Sequence, residues 1–382
     1  MFVKQTDKTF LHMLLAAVVI LLAALDALGC QEQTLQEAID QAVQQEMQRQ
    51  EAVGVAIGVI RDGKVVHTSG HGWADREQQD PVDENTLFRW ASISKPLTAI
   101  VAMQLAEQER LDLDADIRLL VPEFPDKGTP ITMRQLLGHL GGIVHYGNGR
   151  VVRTKRNYKQ SNPYKDVILA LDRFKESPLV AEPGAAYAYT THGYILASAV
   201  VQRSGKAPYH LQVRNRISRP LKLKTLQPDY QWQKIPGRAV GYRKKQGEII
   251  PSTDTDVSWK LGGGGWISNV DDLASFAAGL MGDELVTPET KKVMWTRQRN
   301  NKGDMIRYGL GFRVSSTRNG LQVMHSGSQE KTRTQLTIYP EQGHGVVVMT
   351  NSEYGDPDEF TKVIYKAIND HAKRHEPPTD NK

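Results

Sequence analysis

Apolar residues recur at intervals of four along several segments of this chain, a spacing that places them on one face of an α-helix. The clearest case lies near the start, where the apolar positions are Leu35, Ile39, Val43 and Met47. The same periodicity predicts further helices over about 92–105, 131–137, 165–174, 195–202 and 354–371. Most of the predicted helices therefore fall in the middle of the chain.

Strands are predicted in two groups, one towards each end of the chain. Gly54 to Ile60 and the run through Thr68 are joined by Asp62-Gly63, which is a strong hairpin signal between two apolar runs. The second group covers about 305–314, 321–325, 334–339 and 345–350. A sheet made from both ends, with helices between, is typical of an α+β arrangement within the α/β class.

We therefore predict one antiparallel five-stranded sheet, flanked by helices, with a helical subdomain inserted into it. The sheet would use about 50–90 and 260–374, and the subdomain about 91–259. A functional site is expected in the cleft between the sheet and the subdomain. The tail, 375–382, contains Pro377 and Pro378 and is predicted to be disordered.

The composition is that of an ordinary globular protein. The 382 residues are 40% hydrophobic and 24% charged, with a net charge of +5. The densest basic run, 150–165, is interpreted as a solvated loop, so no nucleic-acid partner is expected. The histidines show no metal-ligand spacing with carboxylates, so we predict no metal site and no cofactor. They include His67, His71, His145 and His192.

The first 29 residues have the design of a secretion signal. Lys4 and Lys8 precede an apolar run from Met13 to Leu25, which is shorter than the roughly 20 residues that a membrane span needs. Ala27-Leu28-Gly29-Cys30 resembles a bacterial lipobox, and Cys30 is the only cysteine. We expect 1–29 to be removed and Cys30 to be lipidated, which would anchor residues 30–374 at the bacterial cell envelope, facing the periplasm or exterior. The alternative is an ordinary signal peptide with a chance cysteine.

A candidate nucleophile opens the second predicted helix. Ser92 and Lys95 are three positions apart, so their side chains are neighbours on one helical face. Ser94 is adjacent to Lys95 and cannot share that geometry. A serine hydroxyl needs a base, and a lysine that has lost its charge through desolvation can serve as one. The alternative, from this motif alone, is an exposed serine and lysine on a helix.

Three separated elements together resemble a known family. Ser92-x-x-Lys95, Tyr189-x-Thr191 and His325-Ser326-Gly327, in this order, are similar to the motifs of the serine beta-lactamase and penicillin-binding-protein family. The resemblance is closest to its class C-like branch, which includes the mitochondrial serine beta-lactamase-like protein. It covers most of the chain, from about Gly54 to the closing helix. Further matching stretches are 111–114, 121–125, 136–142 and 264–268.

The resemblance implies a role for each motif residue. Ser92 would be acylated, while Lys95 and Tyr189 would share the proton transfers, with Tyr189 as the general base in this branch. The backbone N–H groups of Ser92 and Ser328 would form the oxyanion hole. The remaining motif residues would bind substrate, namely Thr191, His325, Ser326 and Gly327.

Two positions depart from the family pattern. Thr191 stands where asparagine is usual, and His325 stands where true beta-lactamases have lysine. Because histidine is mostly neutral above a pKa of about 6.5, it supplies less attraction for a substrate carboxylate than lysine does. Strong beta-lactamase activity is therefore not expected.

The overall expectation is a secreted serine hydrolase that forms an acyl-enzyme on Ser92 and acts on small peptides or amides. Esterase, weak beta-lactamase and D-alanyl-D-alanine carboxypeptidase activities remain alternatives. A non-catalytic ligand-binding or assembly-forming protein on the same fold is the rival from another class. Assembly into a homo-oligomer is left open.

Overall fold

The computed structural model describes residues 33–318 and 320–375. The predicted signal segment, Cys30 and nearly all of the predicted tail lie outside the described residues. The helices are α1 Leu35–Gln50, α2 Ser94–Glu107, α3 Met133–Leu137, α4 Val167–Ala170, α5 Thr191–Gly205, α6 Tyr209–Val213, α7 Leu261–Gly264, α8 Val270–Met281, α9 Pro288–Met294 and α10 Pro357–His375. Short 3₁₀ turns occur at Ala91–Ile93, Ile117–Leu119, Pro163–Lys165, Leu171–Arg173 and Ser258–Lys260, and Arg214–Ser218 forms a π-helical turn.

The strands are β1 Gly54–Arg61, β2 Lys64–Asp75, β3 Asp80–Pro81, β4 Phe88–Arg89, β5 Gln227–Pro228, β6 Tyr242–Lys245, β7 Glu248–Pro251, β8 Trp266–Ser268, β9 Arg313–Thr317, β10 Gly320–Gln329, β11 Thr332–Tyr339 and β12 His344–Thr350. The main sheet has the order β3-β2-β1-β12-β11-β10-β9, and its pairs are antiparallel. Its seven strands correct the expected five. The short strands β3 and β9 lie at its two edges.

The sheet separates two apolar layers. Along β1, side chains alternate between the faces, so Val55, Ile57 and Val59 contact one layer. Two of the other members of that layer are Ile39 of α1 and Phe360 of α10. On the opposite face, α8 approaches so closely that a Cβ at Gly58 would lie 2.7 Å from the Cβ of Ala274. The larger core lies on this second face and continues into the helical part.

Local sequence signals account for several element boundaries. Thr34 and Glu37 form a capping box that begins α1, and Thr132 and Gln135 form another that begins α3. The β1–β2 turn uses Asp62 and Gly63, both with positive φ, as a tight hairpin requires. Among the described residues, no helix is both long and apolar enough to cross a bilayer.

Candidate active site

The segment before Ser92 is pinned between two sheets. Phe88–Arg89 pairs with β8, and the N–H of Trp90 donates to the carbonyl of Trp266 over 2.8 Å. From the main sheet, the hydroxyl of Thr334 donates to the carbonyl of Trp90 over 3.1 Å. A Cβ at Gly327 would lie 2.5 Å from that same carbonyl oxygen, so only glycine permits this approach of β10.

Ser92 lies in the 3₁₀ turn Ala91–Ile93, two residues before the first residue of α2. A 3₁₀ turn has three residues per turn, so it brings Ser92 and Lys95 onto one side even more directly than an α-helix would. Ala91, immediately before the serine, has φ of 47°, which is unusual for a residue with a side chain. Such backbone strain is common beside functional groups.

Lys95 is completely buried and directed at Ser92. Its Nζ lies 2.9 Å from Ser92 Oγ, 3.0 Å from the carbonyl oxygen of Gly263 and 3.2 Å from Thr191 Oγ1. Burial lowers the pKa of Lys95 well below its usual value of 10.5. A lysine that loses its proton more easily can accept one from the serine.

Four consecutive glycines, 262–265, precede β8 and are called the glycine run below. This run makes the contact with Lys95 possible. A Cβ at Gly262 would lie 2.5 Å from the carbonyl oxygen of Tyr194, so the chain passes α5 too closely for a side chain. Gly263 then presents its carbonyl to Lys95, and Gly262 presents its own to the hydroxyl of Thr98 over 2.6 Å. Close approach of the backbone therefore accounts for these glycines.

Tyr189 lies beside both members of the pair. Its ring centroid is 4.8 Å from Lys95 Nζ, and its hydroxyl interacts with the side chain of Ser92. Burial raises the pKa of Tyr189 to about 12, partly offset by the hydrogen bond with Ser92. Near neutral pH the phenol therefore keeps its proton, whereas the lowered pKa of Lys95 makes its amine release a proton more readily.

Two histidines hold the loop that carries Tyr189. Nδ1 of His139 accepts the N–H of Thr190 over 3.1 Å, and its ring centroid is 4.3 Å from that of Tyr189. Nδ1 of His145 accepts the N–H of Thr191 over 3.2 Å. His139 is fully buried and acts as a positioning residue.

The structure places His325 elsewhere than expected. It is 1% exposed, and its Nδ1 donates to the carbonyl oxygen of Ser326 over 2.7 Å. Its Nε2 is thereby left as an acceptor, 2.8 Å from the hydroxyl of Tyr308. Burial, together with the positive charge of Lys95, lowers the pKa of His325 to about 3. His325 is therefore a neutral residue beneath the cleft, not a group facing substrate.

Alternation along β10 explains this placement. Successive side chains of a strand point to opposite faces, so those of Ser326 and Ser328 line the cleft while that of His325 points away from it. Gly327 has no side chain and does not line the cleft. Of the four residues expected to bind substrate, Thr191 and Ser326 therefore lie at the cleft. Ser328, the expected second oxyanion donor, is exposed there.

The cleft has a volume of about 300 Å³. Several of its residues were not foreseen as site residues, because they reach it only through the tertiary fold. It is lined by Ser92, His145, Tyr146, Tyr189, Thr191, Lys260, Gly263, Gly264, Arg313, Ser326, Ser328 and Gln329. None of these carries a carboxylate, while Lys260 and Arg313 are cations. The described residues also contain no cluster of three or more histidine, cysteine or carboxylate side chains that could hold a metal ion.

Comparison with known proteins agrees with this architecture. Residues 39–368 match the Beta-lactamase family. The mitochondrial serine beta-lactamase-like protein LACTB of Homo sapiens is 29% identical over an alignment that covers 66% of this chain and 60% of that protein. The chain thus spans less than two thirds of this relative. Penicillin-binding protein 4* of Bacillus subtilis is 24% identical, with 80% of this chain and 69% of that protein covered.

Solved structures show the same fold. An octameric penicillin-binding protein homologue from Pyrococcus abyssi superposes with a TM-score of 0.71 and 25% identity, covering 86% of this chain and 75% of that one. The D-amino acid amidase of Ochrobactrum anthropi SV3 has a TM-score of 0.73 and 20% identity, covering 89% of this chain and 100% of that one. The chain therefore belongs to the beta-lactamase family, whose superfamily members are serine hydrolases.

Proposed function

We propose that this protein hydrolyses small peptides or amides through an acyl-enzyme on Ser92. The observation that carries the proposal is the contact of 2.9 Å between Ser92 Oγ and the buried amine of Lys95. In its neutral form Lys95 takes the proton of Ser92 as Oγ attacks the substrate carbonyl carbon. The backbone N–H groups of Ser92 and Ser328 stabilise the resulting oxyanion.

Tyr189 completes the proton path in this scheme. Because its phenol stays protonated, it donates to the leaving nitrogen and is reprotonated from Lys95. The C–N bond then breaks and leaves an ester between the acyl group and Ser92. Water attacks that ester while Lys95 takes a proton from it. Lys95 then returns this proton to Ser92 Oγ as the bond between Oγ and the acyl carbon breaks, which releases the acid. The role of general base, expected for Tyr189, is thus proposed for Lys95.

Arg313, and not the neutral His325, supplies the attraction for a substrate carboxylate. It is exposed on β9, lines the cleft and has no carboxylate partner among the described residues. A substrate carboxylate near the leaving group is therefore favoured, which keeps D-alanyl-D-alanine carboxypeptidase activity as the second candidate. Ester and beta-lactam hydrolysis would use the same acyl-enzyme.

The test is covalent labelling with a fluorophosphonate, which reacts with activated serines. Wild type and Ser94→Ala should be labelled, and Ser92→Ala should not. Ser94 is a matched control because it is buried and its hydroxyl has no hydrogen-bond partner among the described residues. Labelling of Ser92→Ala at another serine, located by mass spectrometry, would contradict the proposal. Absence of labelling in wild type would favour the non-catalytic rival.

The location and assembly of the protein are further proposals. Lipidation of Cys30 would anchor the enzyme at a bacterial cell envelope, and membrane fractionation of wild type and Cys30→Ser tests this. Release of the variant into the soluble fraction is expected, and retention would contradict the anchor.

Self-association is supported by the Pyrococcus abyssi homologue, which is described as octameric. Sedimentation of the purified protein measures it.

A further inference from the structure

A second lysine, Lys260, lies just before the glycine run and lines the cleft. Lys260 ends the 3₁₀ turn Ser258–Lys260 and directly precedes α7. The residue is only 7% exposed. Its aliphatic part packs on Gly264, where a Cβ would lie 3.6 Å from Lys260 Cδ. The run that presents a carbonyl to Lys95 thus also seats Lys260 at the cleft.

The charge of Lys260 has no strong partner in the protein. Among the described residues, its Nζ makes no hydrogen bond, and the nearest ion-pair contact is Glu330 Oε2 at 3.9 Å. Nζ lies 5.9 Å from the ring centroids of both Tyr146 and Trp259. Because a poorly solvated ammonium is costly without an acceptor, this geometry is suited to an anion supplied by a ligand.

The segments that carry Lys260 and Arg313 meet β10 at different points along its length. Arg313 pairs with Met324 in the sheet, whereas Glu330, beside Lys260, follows the last residue of β10. The segment from Met324 to Glu330 spans about 20 Å if it is fully extended. Ser326 and Ser328 lie between these ends, next to the nucleophile.

We propose that Lys260 binds an anionic group of the substrate on the side of the scissile bond opposite to Arg313. The preferred substrates are then acidic peptides or N-acyl amino acids with a carboxylate on each side of that bond. This inference rests on the proposed hydrolase function and narrows its substrate class. Glu330 is 46% exposed, so it can turn into solvent when a substrate carboxylate takes its place.

The charge state of Lys260 gives the inference a pH signature. Burial lowers the pKa of Lys260 to about 8, so its charge is present below that pH and is lost above it. The other charged groups that act on it are Glu330, Asp256, Arg89 and Lys95. If the preference for substrates with an anionic group declines as the pH rises through 8, Lys260 is the group that binds the anion.

The test compares two fluorophosphonates that differ only in the groups at the ends of their two arms. In one, both arms end in carboxylates, and in the other both end in methyl esters. The measured quantity is the ratio of their second-order rate constants for labelling Ser92. At pH 7 wild type should favour the dicarboxylate, and Lys260→Gln should reduce this preference about tenfold. Lys260→Arg should keep the preference to pH 10, and exposed Lys234→Gln should match wild type.

Each outcome separates the inference from the hydrolase proposal. Normal labelling with an unchanged ratio in Lys260→Gln would overturn the role of Lys260 alone. Equal slowing with both probes in this variant would also overturn it, since it would indicate a structural role. No labelling of wild-type Ser92 by either probe would overturn the hydrolase chemistry and the inference with it.

Discussion

The hydroxyl of Tyr308 lies 2.8 Å from Nε2 of His325, and both side chains are buried. Tyr308→Phe should remove the donor and leave Nε2 unsatisfied, at a cost of about 1–3 kcal/mol in the free energy of unfolding. Urea denaturation measures this loss. Tyr354→Phe is the control, since its hydroxyl bonds the carbonyl of Glu51 in an exposed position, and it should change the stability less. Equal effects of the two variants would contradict the buried contact.

Buried histidines make the fold sensitive to acid. The pKa of His325 is lowered to about 3, and those of His145 and His192 to about 4, each mainly by burial. Their usual value is 6.5, so below that pH the unfolded chain takes up protons that the folded protein excludes. Their contribution to stability is full above pH 6.5 and is lost progressively as the pH falls towards 4 and 3.

We therefore expect the melting temperature to fall between pH 7 and pH 5. The carboxylates titrate at lower pH and contribute little in that window. His325→Gln should flatten the slope, because it removes one of the groups that take up a proton on unfolding. A melting temperature that stays constant across the window would contradict the neutral, buried histidines.

Lys95 should control the acidic limb of the rate profile. Since the base form is the active one, the rate of fluorophosphonate labelling should rise as the pH increases through the lowered pKa of Lys95. Lys95→Arg should label at least about 10²-fold more slowly and lose this limb, because a guanidinium stays protonated. Preservation of both rate and profile in Lys95→Arg would show that another group is the base.

Substitution within a buried network of ion pairs should cause a large loss in the free energy of unfolding. Asp229 is fully buried and accepts hydrogen bonds of 2.6 Å from both Arg89 and Arg238. Asp229→Ala would leave these cations uncompensated, at a cost of about 3–5 kcal/mol. Asp114→Ala breaks the exposed pair with Arg134 and should cost less than about 1 kcal/mol. Chemical denaturation of the two variants compares them, and similar losses would contradict the assignment.

The periodic patterns predicted most of the long elements, but one strand was misplaced. The large apolar residues Tyr308, Leu310 and Phe312 alternate with other residues, and this pattern predicts a strand over 305–314. All three are buried in the structure. In the structure this stretch is largely irregular, Gly311 has φ of 92°, and β9 begins only at Arg313. Alternating apolar residues can also occur in a loop that is buried against a core, as 308–312 are here, and a single sequence does not distinguish the two cases.

The candidate site was predictable where it is local. Ser92 and Lys95 are related by helical geometry, which the sequence shows directly. His325 is a different case, because a shift of one residue along a strand moves a side chain to the other face. Arg313 and Lys260 come from distant segments and meet the cleft only through the fold. The signal available for Lys260 was its position just before the glycine run.

The pairing of β1 with β12 constrains how the chain can fold. Val55 is aligned with Thr350, so neighbouring strands at the centre of the sheet come from almost opposite ends of the described chain. The main sheet is therefore incomplete until β12 has been synthesised, and contacts of such long range form slowly. During synthesis the edge of β1 that later pairs with β12 therefore stays unpaired. A chaperone that binds incompletely folded chains would protect this edge from pairing with other chains.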